Sequence, residues 1–220
     1  FLKIINNNPS AFDAHFNLAS CFFRQHKYAA AINHFRVSSR NPELANRSLY
    51  LMAQCYSKRN DYDQAIVAME KLVAIDDKNL SYRKALGEFY EGAKEYDMAE
   101  EVYQDLTIIA PTRSEFWLKL AFSQIKNNNF EKEEKTLNKV FRVQPGHIEA
   151  NTVLAELYSA KHLYKEAIEE FQRILMLNEK NGDAYYSLAK IYHEINREAD
   201  EMDALNKAVS NGKETAEILL

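Results

Sequence analysis

One class of residue recurs along this chain at a fixed step: Ala19, Ala53, Gly87, Ala121, Ala155 and Ala189 stand 34 residues apart, with no insertion between them. Directly before each comes a long apolar side chain: Leu18, Met52, Leu86, Leu120, Leu154 and Leu188. Three residues after come Phe22, Tyr56, Tyr90, Gln124, Tyr158 and Tyr192. The same step carries Tyr28, Tyr62, Tyr96, Phe130 and Tyr164, then Ala31, Ala65, Ala99 and Ala167, then Phe35, Met69, Tyr103 and Phe171. Leu80–Arg113 shows the unit most cleanly. Leu86, Gly87 and Tyr90 lie on one arm and Ala99, Tyr103 and Leu106 on another, with a turn around Gly92–Tyr96 between them. Spacings of three and four residues are the helical period. A small residue on each arm lets two helix backbones approach, and the aromatics fill the space around that contact. The prolines, Pro9, Pro42, Pro111 and Pro145, fall only at the ends of units, where a helix can be interrupted. The pattern predicts an all-α chain of antiparallel helix pairs.

Composition narrows the function classes. The 220 residues hold 46% hydrophobic and 27% charged side chains, the balance of a soluble folded protein, and only 5 Gly and 4 Pro. Net charge is −4, without the long basic block that non-specific nucleic-acid binding needs. No apolar run approaches the roughly 18 residues that span a bilayer, and no signal-peptide pattern opens the sequence, where Phe1 is expected to lie in helix already. Cys21 and Cys55 occupy the same point of neighbouring units. Equivalent points on stacked helices lie on the order of 10 Å apart, too far for an unstrained disulfide. Both are therefore expected to be reduced, partly buried thiols, which favours a reducing compartment such as the cytoplasm.

The register resembles the tetratricopeptide repeat: large–x2–Leu–small–x2–Tyr, then Ala–x3–aromatic, then Pro, over 34 residues. The unit at 114–147 carries the signature tryptophan, Trp117, followed by Leu120 and Ala121. The resemblance covers the chain as units 12–45, 46–79, 80–113, 114–147, 148–181 and 182–215. It implies one right-handed superhelical solenoid over 1–220. Residues 1–11 match the end of an earlier unit through Phe1, Ile4 and Pro9, and 216–220 the start of a next unit or a capping helix, with Leu219 at the Trp117 position. Solenoids need polar caps, and neither end supplies one, so a piece of a longer repeat protein is expected. The alternative is a last helix that caps itself.

Two units depart from the rule. Gln124 replaces the aromatic and Glu133 the alanine of the close contact in one, and Glu198 and Glu201 replace Tyr and Ala in the other. A carboxylate there is costly unless it hydrogen-bonds or reaches water. The plain reading turns the glutamates outward; the sharper one pairs Gln124 with Glu133 as a hinge or docking point.

Chemistry has no foothold in the pattern. The six histidines, His15, His26, His34, His147, His162 and His193, fall in no metal-ligand spacing. The glycines are scattered singly, no serine sits in a GxSxG context, and carboxylate pairs such as Glu133–Glu134 and Glu169–Glu170 read as solvated surface. No enzyme, metal or cofactor is expected.

The resemblance implies that first helices line a concave groove, with the fifth and ninth positions of each unit facing it. The fifth reads Phe16, Tyr50, Lys84, Leu118, Thr152 and Tyr186; the ninth reads Ser20, Gln54, Glu88, Phe122, Glu156 and Lys190. Phe16 with Tyr50, and Leu118 with Phe122 and Ile125, would be exposed apolar clusters of the kind that mark partner sites, unless packing between units buries them. The Lys and Asn set of the chaperone-tail clamp is absent, and so is the asparagine ladder of the sugar-transferring members. The expected function is a scaffold that binds a peptide or helix of another protein through Phe16, Tyr50, Gln54, Lys84, Glu88, Leu118, Phe122, Ile125, Tyr186 and Lys190. A self-associating spacer and the regulatory arm of a larger enzyme or assembly factor are the alternatives. No nucleic acid and no membrane insertion are expected.

Overall fold

A computed structural model describes residues 1–127 and 130–213, without the side chains of 130 and 131. Among the described residues the chain is helical throughout, with no strand: α1 (Leu2–Asn7), α2 (Phe12–Arg24), α3 (Tyr28–Ser38), α4 (Pro42–Ser57), α5 (Tyr62–Ile75), α6 (Leu80–Ala93), α7 (Tyr96–Ile109), α8 (Ser114–Lys126), α9 (Phe130–Val143), α10 (Ile148–Ala160), α11 (Tyr164–Leu177), α12 (Gly182–Glu194) and α13 (Glu198–Ser210). Two compact units result, 1–112 with 123–129 and 113–122 with 130–220. The expected opening of a further unit at Ala216–Leu220 lies outside the described residues.

In the first unit α2 packs on α3, α4 on α5 and α6 on α7, and α3 and α5 each pack on the helix that follows. In the second, α10 packs on α11, α11 on α12 and α12 on α13. The small residues of the register make this possible. Ala19, Ala53, Ala121 and Ala155 on first helices and Ala31, Ala65, Ala99 and Ala167 on second helices all have 0% exposure. One turn after the second-helix alanine stands a large buried side chain: Phe35, Met69, Tyr103 or Phe171. The two sides are matched in volume. Gly87 is the one glycine of the first-helix series, and it faces Tyr103; a Cβ on Gly87 would come 2.7 Å from the ring.

A second set of contacts ties each pair to the next. The Tyr90 hydroxyl donates to Glu70 Oε1 at 2.8 Å, Tyr158 donates to Glu134 at 3.4 Å, and Arg36 donates to the Tyr56 hydroxyl at 3.4 Å. Each aromatic stands three residues beyond the small residue, on a first helix, and its polar partner lies on the second helix before it. Gln124, in place of the aromatic, keeps this link by donating from Nε2 to Glu100 at 3.4 Å.

The tight turns inside pairs need a left-handed residue, and the sequence supplies none as glycine. His26, Asn60, Lys94, His162 and Asn196 adopt φ between 56° and 65°. His26 and His162 hydrogen-bond the tyrosine two residues on, Tyr28 at 2.8 Å and Tyr164 at 2.7 Å, which supports a conformation most side chains avoid. Four first helices, α4, α6, α10 and α12, start on side-chain caps: Asn41, Asn79, His147 and Asn181 accept from backbone N–H groups of the first turn, whereas α2 starts on Ala11 without one. Pro42 opens α4 at its first position, where its missing N–H has no helical partner to lose.

The N-terminal joint is held by a histidine pair. His15 Nε2 lies 3.2 Å from the Pro9 carbonyl, which can only accept, so the proton is on Nε2. His15 Nδ1 then accepts from His34 Nδ1, 2.8 Å away. Burial, then the neighbouring His15, holds the His34 pKa below its ordinary value. The thiols divide: Cys55 is buried in the cluster of Phe16, Ala19 and Phe35, and burial pushes it up to about 12, whereas Cys21 is exposed rather than partly buried.

The Gly87–Tyr103 match is testable. Gly87→Ala, at a position where the other pairs carry alanine, is expected to destabilise by about 1–3 kcal/mol through overpacking. Tyr103→Met, the residue at the corresponding Met69 position, is expected to recover at least half of that loss in the double variant. A urea-melt double-mutant cycle with additive effects would contradict the match.

Candidate functional site

The first-helix lane was expected to carry the partner surface, and its residues divide between the two units. In the first unit, Phe16 is buried rather than exposed. Its ring meets Phe35 edge-on with centroids 5.7 Å apart, and the Arg47 guanidinium lies over its other side at 4.7 Å. Packing of α4 against α2 brings that arginine in, and it stands at the second position of its unit, outside the two lanes read from sequence. Tyr50 is half-buried, with its ring 5.7 Å from that of Tyr82. Gln54 is half-buried beyond it, and Lys84 reaches Glu88 one turn on at 3.9 Å. Ile125, half-buried, also belongs to this unit. The outcome is an aromatic and cationic strip rather than an apolar cluster.

In the second unit Leu118 is half-buried against the core of Ala121, Leu137, Val140 and Leu154, while Phe122 keeps 40% of its surface exposed. Tyr186 and Lys190, from the fifth and ninth positions of one unit, meet in the structure. Tyr186 lies between two ammonium groups, with Lys190 Nζ at 4.5 Å and Lys213 Nζ at 5.5 Å from the ring centroid. Lys213 is oriented by Asp183 at 2.7 Å. Beside them opens a cavity of about 470 Å³ between α10 and α12. Glu156 and Ser159 border it from α10 and Ser187, Lys190 and Glu194 from α12, over a floor of Phe171, Tyr164 and Ile191. Single positions read one by one could not find it, because it needs both helices at once. The pairing of a fifth-position tyrosine with a ninth-position lysine was the available signal.

Of the departing glutamates, Glu133 corrects the outward reading. Glu133 has 0% exposure, and neither carboxylate oxygen meets a hydrogen-bond partner. It stands where α3, α5, α7 and α11 carry a fully buried alanine. Burial raises its pKa to about 7, against the opposing pull of the Lys161 ammonium and with a smaller push from Glu134. Glu170, read as solvated surface, is also buried; Oε1 accepts from Arg173 at 2.7 Å and Oε2 has no partner. Its pKa is raised, chiefly by burial. Glu201 fares differently, since His193 lies 3.2 Å from it. Glu198 is exposed. Among the described residues no group of three or more His, Cys, Asp and Glu could hold a metal ion, and no helix is long and apolar enough to cross a membrane.

Comparison with known proteins gives the context of this geometry. A tetratricopeptide repeat family model matches residues 50–114 and 152–214, together more than half of the chain. A model of anaphase-promoting complex (cyclosome) subunit 3 matches residues 3–72. Anaphase-promoting complex subunit 3 of Schizosaccharomyces pombe is 20% identical over 174 residues, covering 77% of this chain and 26% of its own length. Lipopolysaccharide assembly protein B of Escherichia coli K12 is 20% identical over 231 residues, covering 100% of this chain and 59% of that protein. The chain thus spans less than two thirds of each. The crystal structure of a tetratricopeptide repeat protein from Parabacteroides merdae superposes with a TM-score of 0.79 at 18% identity, over 93% of this chain and 81% of that one.

Glu133 makes stability depend on pH with a definite sign. Its folded pKa lies above that of the unfolded chain, so the unfolded state loses the proton first as pH rises. Stability is fully present below about pH 4.5 and falls until about pH 7. The loss from this group is at most about 3 kcal/mol. Glu133→Ala is expected to flatten that part of the profile and to stabilise the chain at pH 8. Urea melts at several pH values, compared between wild type and variant, check both; parallel profiles would contradict the assignment.

Proposed function

Since this chain belongs to the tetratricopeptide repeat family, we propose that it is a non-catalytic protein-binding scaffold that takes a peptide or helix of a partner along its first-helix lane. The cavity between α10 and α12 carries this reading. It offers an aromatic floor for an apolar side chain. Hydroxyls from Ser159 and Ser187 and charges of both signs, from Glu156, Glu194 and Lys190, can fix an extended backbone and its polar groups. Tyr186, half-buried and flanked by cations, adds a rigid amphipathic ring of the type that anchors interfaces. In the first unit, taken by itself, Tyr50, Tyr82, Gln54 and the Lys84–Glu88 pair offer a surface of the same kind, and Arg47 supplies the planar cation over Phe16. Phe122 and Leu118 form the apolar part of the lane in the second unit, with Ile125 on the first.

Selection of peptides from a display library on the wild-type chain tests the scaffold reading. Peptides that bind are expected to shift amide resonances of α10 and α12, and to lose at least about tenfold in affinity for Tyr186→Ala/Lys190→Ala. Lys190 is exposed and Tyr186 half-buried, so a melt of the variant beside the wild type establishes that it folds, and shift mapping on the wild type needs no substitution. Selected peptides that bind the variant equally would refute the lane assignment.

A further inference from the structure

The outer face of α9 carries a feature that neither the repeat pattern nor the first-helix lane uses. Lys132, Lys135, Lys139 and Arg142 are all exposed and recur at three- and four-residue steps. They therefore share one side of the helix, over about 15 Å. The fold asks for nothing basic there. The corresponding positions read Met98, Glu101, Asp105 and Ile108 in α7, and Glu166, Glu169, Arg173 and Met176 in α11. Lys135, Lys139 and Arg142 make no ion pair or hydrogen bond among the described residues. The same three line a cleft of about 550 Å³ with Asn138 and Phe141, whose ring is half-buried on the core of the second unit. Unpaired cations beside an apolar ring, on a chain of net charge −4, are a localised complement to negative charge.

We propose that this face of α9 docks a short acidic segment of a partner protein, with Asp and Glu side chains on Lys135, Lys139 and Arg142 and one apolar side chain in the cleft at Phe141. Arg142 offers a planar fork that matches a carboxylate in two hydrogen bonds, and the lysines add mobile point charges. A long polyanion fits less well. A nucleic acid or an anionic membrane presents charge far beyond one helix, and the same register on α11 brings Glu166 and Glu169 rather than cations. A second copy of this chain is a poor occupant too, because its acidic helix α13 already commits Asp200 to Arg197, Asp203 to Lys207 and Glu201 to His193. The surface is distinct from the first-helix lane, so the two readings stand or fall separately.

Fluorescence polarisation with a fluorescein-labelled peptide of Asp and Glu carrying two Phe tests the proposal. It is expected to bind the wild-type chain, to weaken as salt rises, and to bind much better than the same peptide with Asn and Gln. Lys135→Gln/Lys139→Gln/Arg142→Gln is expected to lower affinity at least about tenfold, whereas Tyr186→Ala/Lys190→Ala leaves it unchanged. Amide shift mapping on the wild type, which needs no variant to fold, is expected to centre on α9. Any of four results would overturn the proposal: no binding of the acidic peptide, equal binding by the triple variant, shifts centred elsewhere, or tighter binding of duplex DNA or phosphatidylserine vesicles than of the peptide. Dimerisation of the chain that the triple variant abolishes would assign the face to self-association instead and overturn it as well.

Discussion

The helix pairs of this chain depend on two backbones packing closely where each carries a small, fully buried residue. At 0% exposure on both sides, the contact leaves no room for an added carbon, and the large residue one turn along fills what the close approach leaves open. The two positions are therefore coupled in volume. Gly87 with Tyr103 is one solution, Ala53 with Met69 another, and Ala19 with Phe35 a third. Glu133 shows what happens when the rule is broken with charge. In α9 the carboxylate at the alanine site is buried and unpartnered, and burial raises its pKa to about 7. The cost is carried by proton binding rather than by rotation of the side chain.

Between pairs the constraint is looser and polar. Tyr90 and Tyr158 each send a hydroxyl back to a glutamate of the preceding second helix. Gln124 can replace such a tyrosine because an amide reaches Glu100 as the phenol would. It gives up ring volume but retains the hydrogen bond. Geometry inside a pair is thus set by volume, and the link between pairs by a long polar reach, which tolerates substitution so long as a donor remains.

This difference explains what the sequence made legible. The period, the all-α class and the helix pairs were readable because they rest on spacing alone, and spacing is a property of the chain. Exposure was less readable, because it depends on which side chain arrives from the next helix. Phe16 stands in the groove lane by number, yet Phe35 and Arg47 enclose it. Cys21 and Cys55 share a register position but not an environment, since Cys55 lies in the cluster of Phe16, Ala19 and Phe35 while Cys21 is exposed. The left-handed turn residues were hidden for another reason: histidine, asparagine and lysine do at these turns what glycine usually does. The cavity between α10 and α12 needed two helices at once, and only its Tyr186–Lys190 edge was visible beforehand.

The same distinction gives a way to weigh surface residues in a repeat. A residue that recurs through the register is accounted for by the fold, and its chemistry need mean nothing further. A residue that the register leaves unconstrained, and that still carries matched chemistry with its neighbours, needs another cause. The cations of α9 meet that condition, because α7 and α11 fold with mixed and acidic residues at the same places. Chain-wide net charge concealed them, as four positive residues on one helix vanish in an acidic total. Tyr186 and Lys190 meet the condition as well, since the fifth and ninth positions vary freely from unit to unit while these two stack on one another beside a cavity. Glu133 does not meet it, for its oddity lies at a position the fold constrains most, and the consequence falls on stability rather than on a surface a partner can reach.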